Sequence, residues 1–590
     1  NEVGFETDYV SVVDLPRATL SKHPWSLGGG GASELKARLE HQAGSTLGKV
    51  SESIGITCFT LEDDAYVSEA AILLRHGVEA EHRRQMIEGD MVRDWAITRS
   101  AVAIFPYDAA LDVLESVDGT AVERWLWPYK SRLSNSKMFG GRTKVAEGLK
   151  WYEYGRFTAS KFRTPMSITF AEVATHNHFV LDRGGKVFKQ TAPVIKLPPE
   201  AAEDDYVILL GLLNSSIAGF WMKQVFHKKA HASQRHHPDP ARAAYQFGAT
   251  GLLAFPFPDF GQHRNAVITL ARTIDECARR RSALLDSEAI DRLVTSSKGA
   301  RALAEKLAAR WLEADTLRER MVALQEELDW IVYVAFGLAV PECLIDPKRY
   351  REQTCPRGWR PFERKAGRTS TVRAGGRALD LVEGEAPPVG TLPEWVEDVW
   401  RRREEATAAS SELQMLETPV FKRAWRDTEQ NLAEPEYRRR KDASDLEEWF
   451  AARVERQAAT RFTSFSLGQL VAALQADPSV LVVAEVLAGR PDFSLDALVA
   501  QIFASESVPQ HRFHVYTEAG LTKRAAWEEV WALQRREDTG EKVEPIPVPP
   551  EYSQGSRGKS TDFVRTEYWR LRGKLDVPKE RFIAFTEVPG

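Results

Sequence analysis

Residues 303–331, LAEKLAARWLEADTLRERMVALQEELDWI, set the frame for the rest of the chain. Leu303, Leu307, Leu317, Met321, Leu324, Leu328 and Ile331 fall on alternating steps of four and three, and Arg310 and Ala314 hold the remaining positions of that heptad series. Such spacing lines one face of an α-helix, so a long amphipathic helix is predicted here. A second helical run, 265–285, offers it an antiparallel partner. Gly337 and Pro341 end the pattern.

Upstream the period changes. Residues 1–110 alternate short apolar strands with turns, around a helical stretch at 33–42. Segments 91–95 and 101–107 read as a hairpin with its turn near 98–100. Segments 166–173, 179–181, 186–188 and 194–197 read as a β meander, with Gly184-Gly185 supplying a turn because glycine tolerates positive φ. Residues 206–226 read as one helix with Asn214-Ser215-Ser216 near its middle. Downstream, 346–393 is loop-rich, 394–416 is helical, and the basic run 437–441 is expected to mark a boundary before a helical C-terminal unit. Pro545, Pro547, Pro549 and Pro550 suggest an extended linker. The fold class expected is α+β multidomain: a mixed α/β body, a long helical hairpin and a mainly α C-terminal domain.

Charge is distributed unevenly. The chain is acidic overall, with a formal net charge of −5, yet between Arg124 and Lys196 fourteen Lys and Arg stand against four acids. Trp125, Trp127, Tyr129, Phe139, Trp151, Tyr152, Tyr154, Phe157 and Phe162 are threaded through this stretch. A local excess of that size attracts a polyanion, and the aromatics suit a folded nucleic-acid face better than a disordered tail. The plainer alternative is a solvated surface balanced by acids brought near in three dimensions.

Other signals narrow the classes. With 590 residues, 43% apolar content and 16 tryptophans, several cores are affordable. Four scattered cysteines (Cys58, Cys277, Cys343, Cys355) argue against a disulfide scaffold or zinc ribbon and fit a reducing, cytoplasmic setting. The longest apolar runs are too short to span a bilayer, so no membrane role is expected. The chain opens on Asn1 rather than Met, and its first residues read as the middle of a fold. Gly28–Gly31 lacks the spacing of a phosphate or cofactor loop and reads as a turn. His227, His231, His236 and His237, with His176 and His178 upstream, are dense enough for a metal, but no Cys or acid pattern accompanies them; no metal site is assigned. GxSxG and HExxH are absent, and no acid pair stands out, so no catalytic residue is assigned.

Several segments together carry a resemblance. Residues 87–95 (IEGDMVRDW) followed by 103–108 (AIFPYD) resemble the opening of the target-recognition domain in fused adenine methyltransferases. Residues 180–188 (VLDRGGKVF), 209–216 (LLGLLNSS) and 220–224 (FWMKQ) are similar to the same domain. Residues 325–333 (QEELDWIVY) with 336–338 (FGL) resemble the helical spacer after it, and 568–582 (YWRLRGKLDVPKERF) resembles the C-terminal end of the PglX family. That family comprises the adenine-specific DNA methyltransferases of BREX phage-defence systems; the type 2 form fits best, and the DISARM adenine methyltransferase is a near neighbour.

The chain also departs from the family. The Asn/Asp-Pro-Pro-Tyr/Phe tetrapeptide and the glycine-rich cofactor loop are missing: Pro-Pro occurs at 198–199, 387–388 and 549–550, never after Asn or Asp. The resemblance therefore implies the C-terminal half of such an enzyme, inactive alone, with S-adenosylmethionine needed only by the complete protein and no cofactor in this chain. It implies a DNA target-recognition domain at 1–264, a helical spacer at 265–345, a linker region at 346–440 and a helical extension at 441–590. Double-stranded DNA is the expected partner, with other defence proteins as further candidates. The expected DNA-binding residues are Lys130, Arg132, Arg142, Lys144, Arg156, Lys161, Arg163, Lys186, Lys189, Lys223, Lys228 and Lys229. The competing expectation is a protein-interaction scaffold without a DNA role. The segment 568–582, rich in aromatics and cations, is expected to fold back onto the body.

Overall fold

The long helix runs Ala300–Ala335, 36 residues, and two cores are built on it. All nine heptad positions from Leu303 to Ile331 are buried. Leu303 and Leu307 join one core with Leu446, Phe450, Leu470 and Val480, while Leu317 to Phe336 lie in a second, larger core. In that second half the amphipathic pattern gives way to burial all round: Gln325, Glu326, Glu327 and Asp329 are inside too. Helix Arg264–Leu285 lies antiparallel to it. Arg281 Nε donates to the Ala314 carbonyl at 3.2 Å, while Val267 and Ala271 meet Leu328 around Gly211 at the other end. Helix Ser287–Thr295, capped by the Asp286 carboxylate, separates the two.

The structure, a computed structural model, describes residues 31–544 apart from internal stretches, chiefly 230–242, 379–391, 426–432 and 506–528. The glycines at 28–30, His231, His236, His237, the prolines at 545–550 and the segment 568–582 lie outside the described residues.

Two four-stranded sheets form the N-terminal body. One has the order Phe179–Asp182, Ser167–Phe170, Val194–Lys196, Ser53–Gly55, all antiparallel. The other runs Lys186–Phe188, Arg83–Ile87, Ala101–Ile104, Val67–Ser68. The Gly184-Gly185 turn is present, with φ of 106° and 82°. The meander expected around it is not. Strand 186–188 leaves its neighbours and pairs in parallel with 85–87 of the second sheet. The turn therefore joins two sheets, and Val187 goes into the second one's core. The hairpin expected between 91–95 and 101–107 also pairs otherwise. Val92–Arg93 pairs with Ala96–Ile97 across a tight turn in which Asp94 and Trp95 have positive φ, and Ala101–Ile104 pairs with 83–86. Burial of the Trp95 indole, whose Nε1 donates to Gln325 Oε1 at 2.9 Å, holds that turn.

The helix expected over 206–226 is two, Glu203–Leu213 and Ser216–Val225, bent by 67°. Ser215 breaks it, because its hydroxyl accepts from the Ala218 N–H and so caps a new helix. Helix Ala32–Gln42 stands where a helix was expected. Downstream, Glu394–Ala409 and Ser411–Leu416 cover the helical stretch read at 394–416. The basic run 437–441, read as a boundary, lies inside helix Glu434–Arg461. There Arg438 forks onto Asp315 at 2.7 and 2.9 Å, tying this helix to the long one. With helices Leu467–Gln475, Pro478–Ala488 and Leu495–Ser505 it completes the smaller core. The whole is an α+β multidomain fold. No single helix among the described residues is long and apolar enough to cross a membrane.

Candidate nucleic-acid interface

The basic segment is built on a third core of its own, where Tyr66, Phe105, Tyr107, Trp125, Tyr152 and Tyr154 are buried together. Phe157 stacks on Tyr107 at 4.1 Å between centroids and on Phe162 at 4.9 Å. The Tyr154 hydroxyl donates to the Ile104 carbonyl at 2.6 Å, and that of Tyr66 to the Glu153 carbonyl at 2.9 Å. Most aromatics read from the sequence as a nucleic-acid face are therefore the packing beneath it. Among the described ones Phe139 is the exception: 88% of its surface is exposed.

The cations divide likewise. Lys144 is fully buried; its Nζ donates to the Glu153 carbonyl at 2.7 Å, the Tyr66 hydroxyl at 3.2 Å and the Trp151 carbonyl at 3.3 Å. Burial pushes its pKa down to about 7. Expected at a phosphate, it instead pins three chain segments together. Lys223 is also inside, donating to the Val420 carbonyl between the rings of Tyr245 and Phe421. A long apolar stem ending among carbonyls and rings suits an interior position, and charge counting could not reveal that. Lys189 is held by Asp63 at 2.7 Å and Glu88 at 3.2 Å, and Arg183, another cation of the segment, by Glu203 and Asp275. Lys130 is half-buried, its Nζ 5.6 Å from the centre of the Trp151 ring. Arg132 lies in helix Lys130–Asn135.

The others are at the surface. Arg142, Arg156, Arg163, Lys228 and Lys229 are exposed. Arg156 and Arg163 have no ion-pair partner among the described residues. Arg156 sits on strand Arg156–Phe157 opposite Phe59. Between the sheets, Lys161, Lys186 and Lys196 line a recess of about 120 Å³ with Asp182, Thr164, Gly184 and Gly185. Lys186 Nζ is 2.7 Å from Asp182 Oδ1, so the single carboxylate is already engaged. Lys196 is fixed by the carbonyls of Thr164 and Met166, and burial lowers its pKa to about 8. Burial, then nearby Arg156, also depresses the pKa of Lys161. Cations so disfavoured gain most from an incoming anion, and a phosphate oxygen meets that condition.

The motif residues that carried the resemblance mostly serve architecture. Asp94 faces His178 Nδ1 and Arg423 Nη1, each at 3.4 Å, and Arg423 Nη2 also donates to the Asn214 carbonyl at 2.7 Å. Burial holds the His178 imidazole down at about 4. Beneath them the long helix supplies acids from QEELDW. Arg403 forks onto Glu327 at 2.9 and 2.6 Å, and Lys422 lies 2.8 Å from Glu326, 2.7 Å from Glu417 and 3.6 Å from Asp329. This buried ionic junction joins the N-terminal body, the long helix and the 394–425 segment. Four polar residues within five positions of an otherwise apolar helix end were the signal for it in the sequence.

Neither recess fits S-adenosylmethionine. Three ammonium groups around the first would repel a sulfonium. The second, about 330 Å³ between Val50, Leu197, Ile208, Leu209 and Phe257, has no glycine in its lining to let backbone approach a ligand. Among the described residues no group of three or more His, Cys, Asp or Glu could hold a metal.

Residues 321–589 match a family model described as Domain of unknown function (DUF7008). The adenine-specific methyltransferase PglX of Streptomyces coelicolor is 33% identical over 608 residues, which cover 99% of this chain and 48% of that protein. Among solved structures, that of the Type IIL restriction-modification enzyme MmeI in complex with DNA is similar over 52% of this chain and 35% of its own. It shares 13% identity at a TM-score of 0.27, too low to bear on fold or function. The sequence is thus related to those of adenine-specific methyltransferases. More narrowly, the chain is PglX-like along almost its whole length, and it spans about half the length of the curated relative it matches.

Proposed function

We propose that this chain is the DNA target-recognition and clamp portion of an adenine-N6 DNA methyltransferase of a bacterial, BREX-type phage-defence system. Methyl transfer, and with it S-adenosylmethionine, belongs to a domain outside this chain. The observation that carries the reading is the sorting of cations in the basic segment. Lys144 and Lys189 are consumed internally, while Lys161, Lys186 and Lys196 line one electropositive recess, and Arg142, Arg156 and Arg163 are exposed, Arg142 with Glu147 at 3.5 Å. Arg156 and Arg163, exposed guanidiniums without a carboxylate partner among the described residues, suit a phosphate backbone. In this proposal residues 1–264 recognise DNA, 265–345 set the spacing, 346–440 lock the two together, and 441–590 extend the assembly toward cytoplasmic defence partners.

Fluorescence anisotropy with short duplexes at several salt concentrations tests it. Four or five phosphate contacts imply a log–log salt slope of roughly −4, at about −0.9 per phosphate. Absence of salt-dependent binding to any duplex would reject the reading in favour of a protein-interaction scaffold.

A further inference from the structure

Phe139 stands at the tip of a hairpin spanning residues 136–144. The Met138 N–H donates to the Arg142 carbonyl at 2.9 Å, the Gly141 N–H to the Met138 carbonyl at 2.8 Å, and Lys137 bridges Thr143. At the base, the Lys144 N–H donates to the Ser136 carbonyl at 2.9 Å, and the Ser136 hydroxyl donates to Glu62 at 3.1 Å. The Lys144 ammonium then fastens this base to the third core through Tyr66 and Glu153. A rigid base thus carries a tip of Phe139, Gly140 and Gly141, with Gly141 at φ 82°. Both glycines are exposed, and so are Lys137 and Arg142 on either side.

The ring is not simply loose in solvent. It stacks on Phe59 at 5.6 Å between centroids, with 25° between planes, and Phe59 is the cross-strand partner of the exposed Arg156. One face of Phe139 is therefore backed by an aromatic, and the rest of the side chain is open. An aromatic with one supported face, flanked by cations on a narrow projection, matches what an unstacked nucleobase needs: a π surface for the base and positive charge for its two phosphates.

We propose that Phe139 is a base-stacking residue, taking up a nucleobase displaced from the duplex while Lys137 and Arg142 hold the flanking phosphates. This rests on the DNA reading above and adds a local function to it. Ordinary phosphate contacts would not distinguish stacked from displaced bases, whereas an aromatic tip would.

The test compares the 590-residue chain on a fully paired duplex and on the same duplex carrying one unpaired, bulged base. Wild type should prefer the bulged duplex. Phe139→Ala should reduce that preference by about 5- to 150-fold, the range expected for losing one base–aromatic stack. Phe139→Trp should keep it. The side chain is almost fully exposed, so the melting temperatures of both variants should match wild type. An equal preference in wild type and Phe139→Ala would overturn the inference while leaving the DNA reading intact. If wild type binds neither duplex, the DNA reading falls and this inference falls with it.

Discussion

Replacing Lys422 by Met should unfasten the junction at the centre of the molecule. The ammonium lies within 3.6 Å of three buried carboxylates, those of Glu326, Glu417 and Asp329. Methionine keeps most of the stem's volume and removes only the charge, so packing loss contributes little. Three acids are then left facing one another without their shared cation. Removing one partner of a buried ion pair costs about 3–5 kcal/mol, because the remaining charge stays desolvated. At roughly 2–4 °C per kcal/mol for a unit of this size, the melting temperature should fall by on the order of 10 °C.

The loss should also depend on pH. Burial pushes the Glu417 carboxyl up to about 7 even with Lys422 in place. Glu326 behaves oppositely: burial opposes its ionisation, but Lys422, Arg403 and Arg360 outweigh it and hold the carboxyl below its ordinary range. For Glu417 the folded pKa lies above the unfolded one, so its contribution to stability is complete below about pH 4.5 and disappears as pH rises through about 7. Without Lys422 the acids escape repulsion only by taking up protons. Thermal denaturation followed by circular dichroism should therefore show a larger deficit for Lys422→Met at pH 8 than at pH 6. A variant within about 1 kcal/mol of wild type at pH 8 would refute the reasoning, since a half-broken buried ion cluster is too costly to pass unnoticed.

Three further outcomes are expected. Arg156→Glu combined with Arg163→Glu should weaken binding to all duplexes alike and reduce the magnitude of the salt slope by about one per lost contact, measured by anisotropy; unchanged slope and affinity would place the basic face elsewhere. Lys144→Met should leave that slope untouched and cost about 1–3 kcal/mol by orphaning the Trp151 carbonyl and leaving the Glu153 carbonyl to the Tyr66 hydroxyl alone. Because the folded pKa of Lys144 is about 7 against 10.5 ordinarily, wild type should gain stability as pH rises between these values, and urea titrations of the variant should lose that rise. Gly89→Ala, in the GDMVRDW stretch, should cost about 1–3 kcal/mol, since a Cβ there would sit 2.2 Å from the Thr191 carbonyl oxygen; an unchanged denaturation midpoint would contradict that close approach.

Much of the helical frame could be read directly. The heptad from Leu303 to Ile331 gave the long helix and all nine buried positions, and the run 265–285 its antiparallel partner, because helical periodicity is a local property that a core only has to accept. The resemblance to the PglX family was likewise carried by short motifs that survive without any knowledge of contacts. Local signals were weaker where neighbours decide. Strand 186–188 reads equally well as the next strand of a meander, yet it pairs in parallel with 85–87, because a strand of three residues takes whichever edge is nearest. Composition counted fourteen cations in one segment but could not say that Lys144 turns inward to hold a hairpin while Arg156 turns out. Charge is a property of the sequence; exposure follows from which carbonyls and rings the fold brings around each cation. The same holds for Glu326, Glu327 and Asp329. They look like the solvated face of an amphipathic helix until Arg403 and Lys422, some 75 to 100 residues later in the chain, arrive to neutralise them. Helix, family resemblance and net charge were thus written in the sequence itself. The division of that charge between an internal lock and an outer face came only with tertiary packing, because burying an ion requires a partner that local sequence does not supply.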